Sequence, residues 1–274
     1  MWSVSWGAKY YRLTEFPCPS CKSTVAFEKE SLVKRENLRS RNAHSSEDWT
    51  PYDVDIRFSC MLVCKNPRCG EIVAVSGYID VQEELFYGED ETTMEFMEYF
   101  RPLSMYPAPP VIPVSPNLSR RCQGDLRTAF SLLWVDTAAC ANRQRVMVEH
   151  MLDQLQIPRR IAGKPPGLNS RIEKLSEEHP RYGGILDALK EVGNAGSHDG
   201  AVSFDDVVQC FKLIEHVVTA LIDKPDEKAE QAALELKERY RRKRSSDKIK
   251  ENQGGQNAPD SPASSPPSVS SGGD

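Results

Sequence analysis

Two kinds of hydrophobic pattern divide the chain. Before residue 100, short runs rich in β-branched and aromatic residues predict strands, most clearly at 54–63 and 71–79. These two runs flank a short polar segment, so we expect them to pair as a hairpin. After residue 117, apolar residues recur every three or four positions, which predicts helices. The pattern therefore predicts a β segment followed by an all-helical segment.

The helical segment has recognisable boundaries between its elements. The predicted helices are 125–133, 136–155, 168–178, 185–192 and 203–222. Ser203 stands before the last one with Asp205 and Asp206 in the first turn, which is the pattern of a helix N-cap. Arg145 and Glu149 lie four residues apart on the second helix, so they share a face and can pair.

Two cysteine pairs lie in the β segment. Cys18 and Cys21 have two residues between them, and Cys64 and Cys69 have four, at the turn of the predicted hairpin. Zinc takes four thiolate or imidazole ligands in a tetrahedron, and two close pairs on separate turns supply them with little chain strain. The spacing therefore predicts one structural Zn²⁺ ion held by these four residues.

Cys60 leaves the ligand set open, because it precedes Cys64 by four residues and can replace Cys64 or Cys69. His44, in the polar stretch between the pairs, is a further candidate ligand, although solvent exposure is the simpler interpretation. Buried free thiols are the alternative to a metal, since free cysteine packs as a small hydrophobe. No N-terminal apolar run of signal-peptide length is present, so we expect a cytoplasmic protein, in which reduced thiols can bind metal.

Composition divides the chain into five predicted parts. Six prolines within 100–117 exclude a helix and predict a stiff, extended connector. We predict a zinc-ribbon-like domain with an inserted loop at 1–99 and a helical bundle at 118–223. Residues 224–250 are strongly charged and predict an exposed helical extension. Residues 251–274 are dominated by Ser, Pro and Gly and predict a disordered tail.

The net charge of −5 conceals an uneven distribution, with an acidic stretch at 83–98. Basic side chains cluster near the end of the helical extension, at Arg239, Arg241, Arg242, Lys243 and Arg244. Such a cluster can attract nucleic-acid phosphates, with RNA expected rather than DNA. A solvated helix end is the alternative, because cations also favour a helix C-terminus. No stretch approaches the roughly 20 apolar residues that cross a bilayer, so no membrane partner is expected.

The run Lys190-Glu-Val-Gly-Asn-Ala-Gly-Ser-His198 places two glycines, an amide and a histidine ahead of the last predicted helix, and we predict a turn there. With the Arg145 helix, the proline-rich lead-in and the closing helix, it resembles the domain-of-unknown-function 4145 family over about 106–221. The cysteine pairs resemble the zinc knuckles often fused ahead of that domain. The resemblance implies an α+β protein: a small β zinc ribbon, then an all-α HEPN-like helical bundle and a disordered C-terminal tail.

The same resemblance carries expectations about function. HEPN-like proteins include ribonucleases and partners of nucleotidyltransferases, which implies a setting in bacterial defence or mobile elements. Gly193, Asn194 and His198 match the family's signature, whereas Lys190 stands where the family usually has arginine. Active HEPN enzymes place arginine and histidine closer together than the seven residues that separate Lys190 from His198 here. Lysine also lacks the bidentate fork of arginine.

Two functions follow as hypotheses. The first is a non-catalytic zinc-binding interaction module that binds a protein or a nucleic acid, with Gly193, Asn194 and His198 in structural roles. The second is a metal-independent endoribonuclease that forms a homodimer through the helical bundle, with Lys190, Asn194 and His198 at the shared cleft. There the histidine would transfer a proton and the cation would stabilise charge on the phosphate. Ligand or phosphate binding by the same run is a third alternative.

Overall fold

The computed structural model describes residues 4–21, 23–87, 92–163, 165, 167–198, 200 and 202–254 of the 274-residue chain. For residues 87, 92, 198 and 245–254, it describes the backbone alone. Contacts between residues divide the chain into a first unit, 1–223, and a second unit, 224–274, and each is described by itself. The first unit is α+β, with an antiparallel sheet followed by a helical region.

Within the described residues, the first unit begins with a six-stranded antiparallel sheet. Its strands are β1 (Phe16–Pro17), β2 (Thr24–Phe27), β3 (Val33–Glu36), β4 (Ile56–Cys64), β5 (Ile72–Tyr87) and β6 (Thr92–Tyr106). β4 pairs with β5 on one side and with both β2 and β3 on the other. β1 pairs with β2, and β6 with β5. The pairing of 56–63 with 72–79 confirms the predicted hairpin.

One face of the sheet is buried because apolar residues alternate along its strands. Phe58, Cys60 and Leu62 of β4 are buried, as are Val73 and Val75 of β5. A period of two is the pattern of a strand that has one face against a core. The pairing of β4 with β5 ends at the partner of Ile56, but β5 and β6 continue beyond it. We call residues 80–87 and 92–99, which pair with each other there, the β5–β6 arm.

β6 occupies the first part of the predicted connector. The strand continues to Tyr106 and includes Pro102, which lies opposite Gly77 where the register shifts. Proline cannot donate a hydrogen bond to the ladder, so it is tolerated at an edge strand or a bulge. Residues 101–106 are therefore part of the sheet, whereas the sequence predicted an extended connector from residue 100.

The helical region follows the sheet. Its helices are α2 (Arg120–Val135), α3 (Thr137–Gln154), α4 (Leu168–Glu178), α5 (Pro180–His198) and α6 (Phe204–Val218), with a π-helical turn at Thr219–Asp223, and the short α1 (Leu38–Ala43) lies between β3 and β4. The predicted helices are all present. The hydroxyl oxygen of Ser203 accepts a hydrogen bond from the N–H of Asp206 at 3.1 Å, which confirms the predicted N-cap of α6.

Aromatic side chains join the sheet to the helices. Phe16 of β1 is fully buried, and its ring centroid lies 5.9 Å from that of Trp134 of α2. Trp6 and Tyr10 each lie 5.6 Å from Phe16, and Phe204 of α6 lies 5.8 Å from Trp134. Aromatic pairs at such separations contribute about 0.5–1.5 kcal/mol each beyond the burial of their area. The sheet and the helices therefore share one hydrophobic core.

Glycines allow α5 to lie directly against α3. A Cβ atom at Gly193 would come 2.5 Å from the Cβ of Arg145 and 3.2 Å from the carbonyl oxygen of Ala141. A Cβ atom at Gly196 would come 2.6 Å from the carbonyl oxygen of Ala138. The sequence predicted a turn around these two glycines, and that prediction is wrong because α5 continues through them. Their role is close helix packing rather than an unusual backbone conformation.

The second unit contains α7 (Pro225–Gly254). Its side chains are exposed throughout 225–244. α7 spans the segment that the sequence predicted as a charged helical extension. Of the predicted disordered tail, 251–254 belong to this helix and 255–274 lie outside the described residues. Among the helices of the described part of the chain, none combines the length and the apolarity needed to cross a bilayer.

The packing of α5 on α3 predicts opposite effects for two glycine substitutions in α5. Gly193→Ala should lower the free energy of unfolding by about 1–3 kcal/mol, because the new methyl group overlaps Arg145 and Ala141. Gly184→Ala is the matched control. A Cβ at Gly184 meets nothing within 4 Å, so alanine should raise the free energy of unfolding by about 0.5–1 kcal/mol through helix propensity. Urea denaturation followed by circular dichroism measures both, and equal effects would contradict the packing described.

Candidate metal centre

The structure brings four cysteines together at one end of the sheet. The sulfur atoms of Cys18, Cys21, Cys64 and Cys69 all lie within 4.8 Å of one another. The Sγ atoms of Cys18 and Cys69 are 3.8 Å apart, and those of Cys21 and Cys64 are 3.6 Å apart. All eight cysteines of the chain are free of disulfide bonds. These four are the residues that the sequence predicted as metal ligands.

Strand pairing positions the two cysteine pairs. The N–H of Cys18 donates to the carbonyl oxygen of Ser23 at 2.8 Å, which closes the first turn between β1 and β2. β2 then places Val25 opposite Cys64 on β4, so the first turn lies beside the second. The second turn is closed by the N–H of Cys69, which donates to the carbonyl oxygen of Asn66 at 2.9 Å. The register between β2 and β4 therefore fixes how closely the pairs approach.

The sulfur positions fit a tetrahedral ion. With metal–sulfur bonds of about 2.3 Å, a tetrahedron separates its sulfurs by about 3.8 Å. Two of the six sulfur–sulfur distances, 3.8 Å and 3.6 Å, are close to this value, and all six are within 4.8 Å. Peptide N–H groups also point at the sulfurs. Those of Ser23 and Asn66 lie 3.4 Å from the Sγ atoms of Cys21 and Cys64 respectively. Such donors stabilise thiolate charge, so the donor set suits a cation that thiolates bind.

The surroundings shift the pKa values of Cys18 and Cys21 in opposite directions. The N–H of Ser23 lowers the pKa of Cys21 to about 7. Burial raises the pKa of Cys18 to about 12. The buried thiol therefore stays protonated at neutral pH unless a cation offsets the cost of its charge. A bound metal ion would supply that charge, and it would release protons as it bound.

The two other candidate ligands lie elsewhere. Cys60 is outside the group of four; it is buried in the core face of β4 opposite Val75, and burial raises its pKa to about 11. It lies four positions before Cys64 on the same strand, which is about 13 Å along the chain. The imidazole Nε2 of His44 lies 2.7 Å from a carboxylate oxygen of Glu36, and its ring lies against Trp49. Neither residue joins the cysteine group.

A cleft of about 780 Å³ lies beside the cysteine group. Ser20 and Glu71 form its wall on the sheet side, and Tyr106, Arg127 and Phe130 line the rest together with prolines that follow β6. No sequence motif predicted it, because its walls come from four segments that are separate along the chain. The only signal available was the proline density after residue 106.

The candidate residues of the helical region are Lys190, Asn194 and His198. The Nζ of Lys190 lies 2.6 Å from a carboxylate oxygen of Asp187, 3.0 Å from one of Glu191, and 2.8 Å from the side-chain oxygen of Asn169. The hydrogen bonds to Asp187 and then Glu191 raise the pKa of Lys190. Asn194 lies on α5 and is half-buried. The side chain of His198, the last residue of α5, lies outside the described residues.

Arg145 carries the predicted ion pair on α3. One of its terminal nitrogens lies 3.3 Å from a carboxylate oxygen of Glu149, which confirms that these two residues share a face. The stem of Arg145 packs under Gly193, as described above. Its Nε is buried and has no hydrogen-bond partner among the described residues. No sequence pattern predicts that the Nε of Arg145 is buried, because its burial depends on the approach of α5.

The cationic cluster lies on α7, in the second unit. Its members, all exposed, are Arg239, Arg241, Arg242, Lys243 and Arg244. A terminal nitrogen of Arg242 lies 3.3 Å from a carboxylate oxygen of Glu238, one turn earlier. An exposed pair of this kind contributes about 0.3–0.5 kcal/mol and leaves the cation accessible to solvent.

Comparison with known families finds two matches. Residues 9–105 match the family described as a domain of unknown function (DUF8608), and residues 127–249 match the one described as a domain of unknown function (DUF4145). The second match confirms the resemblance to the 4145 family from residue 127 onward and extends it into α7, but it does not include 106–126. The first match overlaps the N-terminal domain predicted at 1–99, but the sequence predictions did not include this family. No curated protein and no solved structure matches this chain.

The cysteine group predicts a specific pattern of metal content. Protein purified without chelator should carry one metal ion per chain by mass spectrometry, and Co²⁺ should give the absorption bands of tetrahedral thiolate coordination. Cys21→Ser and Cys69→Ser should lose both signals, because each removes one of the four ligands. Cys60→Ser is the control and should keep them. A Cys60→Ser variant without metal, or a Cys69→Ser variant with full metal content, would contradict the ligand set.

Proposed function

We propose that the protein is a zinc-stabilised interaction module that acts in the cytoplasm without catalysing a reaction. The observation that carries the proposal is the group of four cysteine sulfurs, all within 4.8 Å of one another, contributed by two separate turns. Four protein ligands fill a tetrahedral shell and leave no position for a substrate or a water molecule. Such a closed site stabilises a fold rather than catalysing a reaction.

Zinc is the metal proposed for this group. Thiolates are soft ligands, and a tetrahedral set of four selects zinc or an iron–sulfur centre among the common metals. The compact spacing within each pair is that of zinc knuckles. On this proposal the β1–β2 turn and the β4–β5 turn form a zinc-ribbon-like site, and α2 to α6 form a HEPN-like bundle.

The surroundings of Lys190 support a non-catalytic role for the helical region. A cation that stabilises a phosphate in a transition state must direct its charge at the substrate. The ammonium of Lys190 is instead close to Asp187 and Glu191, two carboxylates of its own helix. The close packing of Gly193 on Arg145 is sufficient to explain why glycine is present at this position. Endoribonuclease activity by a homodimer, with Lys190, Asn194 and His198 at a shared cleft, is the alternative.

We propose nucleic acid as one partner, with RNA expected rather than DNA. The support is the cationic cluster, whose five side chains are exposed on one stretch of α7. Phosphate contacts by lysine and arginine supply affinity without sequence preference, and the affinity falls with salt concentration. A setting in bacterial defence or mobile elements rests on the family resemblance alone, because fold does not determine function.

The nucleic-acid proposal predicts salt-sensitive retention of RNA. Replacing the five cations of the cluster by Gln should weaken RNA binding and should flatten its dependence on salt, by about 0.7 in the log–log slope for each lost contact. The matched control on the same helix is Lys228→Gln with Lys237→Gln, which should have a much smaller effect. Fluorescence anisotropy with labelled RNA over a salt series measures both. Equal binding by the wild type and the cluster variant would remove α7 from the proposal.

The non-catalytic proposal predicts that RNA stays intact. Folded protein incubated with mixed RNA in excess EDTA should give the same electrophoretic pattern as RNA alone, for both the wild type and His198→Ala. Circular dichroism before and after the incubation checks that the protein remains folded. Cleavage by the wild type that His198→Ala abolishes would establish the endoribonuclease alternative in its place, since that chemistry needs the histidine but no metal.

A further inference from the structure

The β5–β6 arm carries the apolar face of the sheet beyond the part of the protein that covers it. On β5, the residues that face the core are Val73, Val75 and Ile79, at a period of two. The same period continues through Val81 and Glu83 to Leu85. Because successive side chains alternate between faces, these residues remain on the core side of the sheet. The arm therefore prolongs a buried surface into solvent.

Cross-strand pairing completes this surface, which we call the arm face. It consists of Val81, Glu83 and Leu85 on β5 and of their partners Glu98, Phe96 and Met94 on β6. Near the base of the arm, Tyr52 covers part of it: the ring of Tyr52 lies 5.6 Å from that of Phe96, and its hydroxyl donates to Glu83 at 3.1 Å. Farther out, Leu85 and Met94 are opposite each other and are 55% and 58% exposed.

The charge of the arm has one sign. Residues 80–87 and 92–99 contain five aspartates and glutamates and no lysine or arginine. Arg101 pairs with Asp80, and Lys34 pairs with Glu98, both at the base of the arm. On the opposite face, Glu84 lies directly across from Glu95. Like charges in direct cross-strand pairs are unfavourable, so a cation placed near them would be attracted.

The exposed apolar side chains and the negative charge of the arm indicate what kind of molecule can bind the arm face. Large apolar side chains at 55–58% exposure on two adjacent strands form a surface that gains free energy when another apolar surface covers it. The surrounding carboxylates repel nucleic-acid phosphates and anionic lipids. They also oppose contact between the arms of two copies of this chain, because each would bring the same negative charge.

We propose that the arm face docks a cationic, amphipathic segment of a partner protein, with apolar side chains against Leu85, Met94 and Phe96 and lysine or arginine beside the carboxylates. The proposal deepens the interaction function proposed above by assigning a protein partner to one surface. It depends neither on the metal nor on α7. Lysine and arginine suit the rim of such a contact, since their stems cover apolar area while their charged ends meet the carboxylates.

The test uses the full chain and a synthetic peptide of alternating lysine and leucine with blocked termini, titrated by calorimetry. The wild type should bind this peptide, and Leu85→Ser with Met94→Ser should bind it at least about tenfold more weakly, which is a loss of about 1.4 kcal/mol or more. The matched control is Leu38→Ser with Val135→Ser. These residues are 64% and 65% exposed in the same unit but lie outside the arm, so binding should not change.

Two further peptides test the contributions of charge and of apolar contact separately. A peptide of alternating glutamate and leucine should not bind, because its charge is repelled, and one of alternating lysine and serine should bind at least about tenfold more weakly, because it lacks the apolar face. Three results would each overturn the proposal. They are equal binding by the wild type and the arm variant, no binding of the lysine–leucine peptide, and equal binding of the glutamate–leucine peptide. A wild-type dimer in sedimentation that the arm variant abolishes would also overturn it, since a second copy would then be the occupant. Metal content and RNA retention measured on the arm variant show separately whether the function proposed above holds.

Discussion

Burial of Phe16 against Trp134 is the contact on which the first unit depends. It joins the edge of the sheet to α2, and Trp134 in turn reaches Phe204 at the start of α6. Phe16 also lies two residues before Cys18. The ring therefore fixes the strand from which the first cysteine pair begins. A substitution that removed it would leave a cavity between sheet and helices and release the turn beside it, at a cost of about 3–5 kcal/mol for a buried aromatic.

Hydrogen bonds between the strands link β1, which contains Phe16, to the two turns that hold the four sulfurs. β1 pairs with β2, and β2 pairs with β4 so that Val25 lies opposite Cys64. A shift of one residue in either register would turn the side chains of the shifted strand to the other face of the sheet and displace one cysteine turn relative to the other. The turns themselves are closed by hydrogen bonds between peptide groups, and the sulfurs of Cys21 and Cys64 each accept one further peptide N–H. Site geometry thus follows from backbone pairing, and the aromatic core keeps that pairing in place.

Local patterns were sufficient to predict much of this arrangement. Runs rich in β-branched and aromatic residues identified β4 and β5, and the periodicity of three and four identified α2, α3 and α6. Cysteine spacing identified Cys18, Cys21, Cys64 and Cys69, because a metal knuckle is a local turn. Proline density placed the start of the connector too early in the chain, because Pro102 is tolerated at a bulge in an edge strand. The prediction of a turn at the glycines of α5 was also wrong. Glycine is required there because α3 packs closely against α5, and a local pattern does not show that contact. The outer part of β5 and β6 was predicted only as an acidic stretch, because its apolar residues form a continuous surface only when the two strands pair.

The length of β5 has a consequence for how the molecule can be used. The strand begins at Ile72, just after the second cysteine turn, and reaches Leu85 thirteen residues later. At about 3.3 Å per residue, this is a span of about 43 Å along one hydrogen-bonded ribbon. The strand therefore has the cysteine group beside one end and the exposed apolar side chains of the arm at the other. Because β5 is hydrogen-bonded to its neighbours along its length, backbone geometry sets this separation.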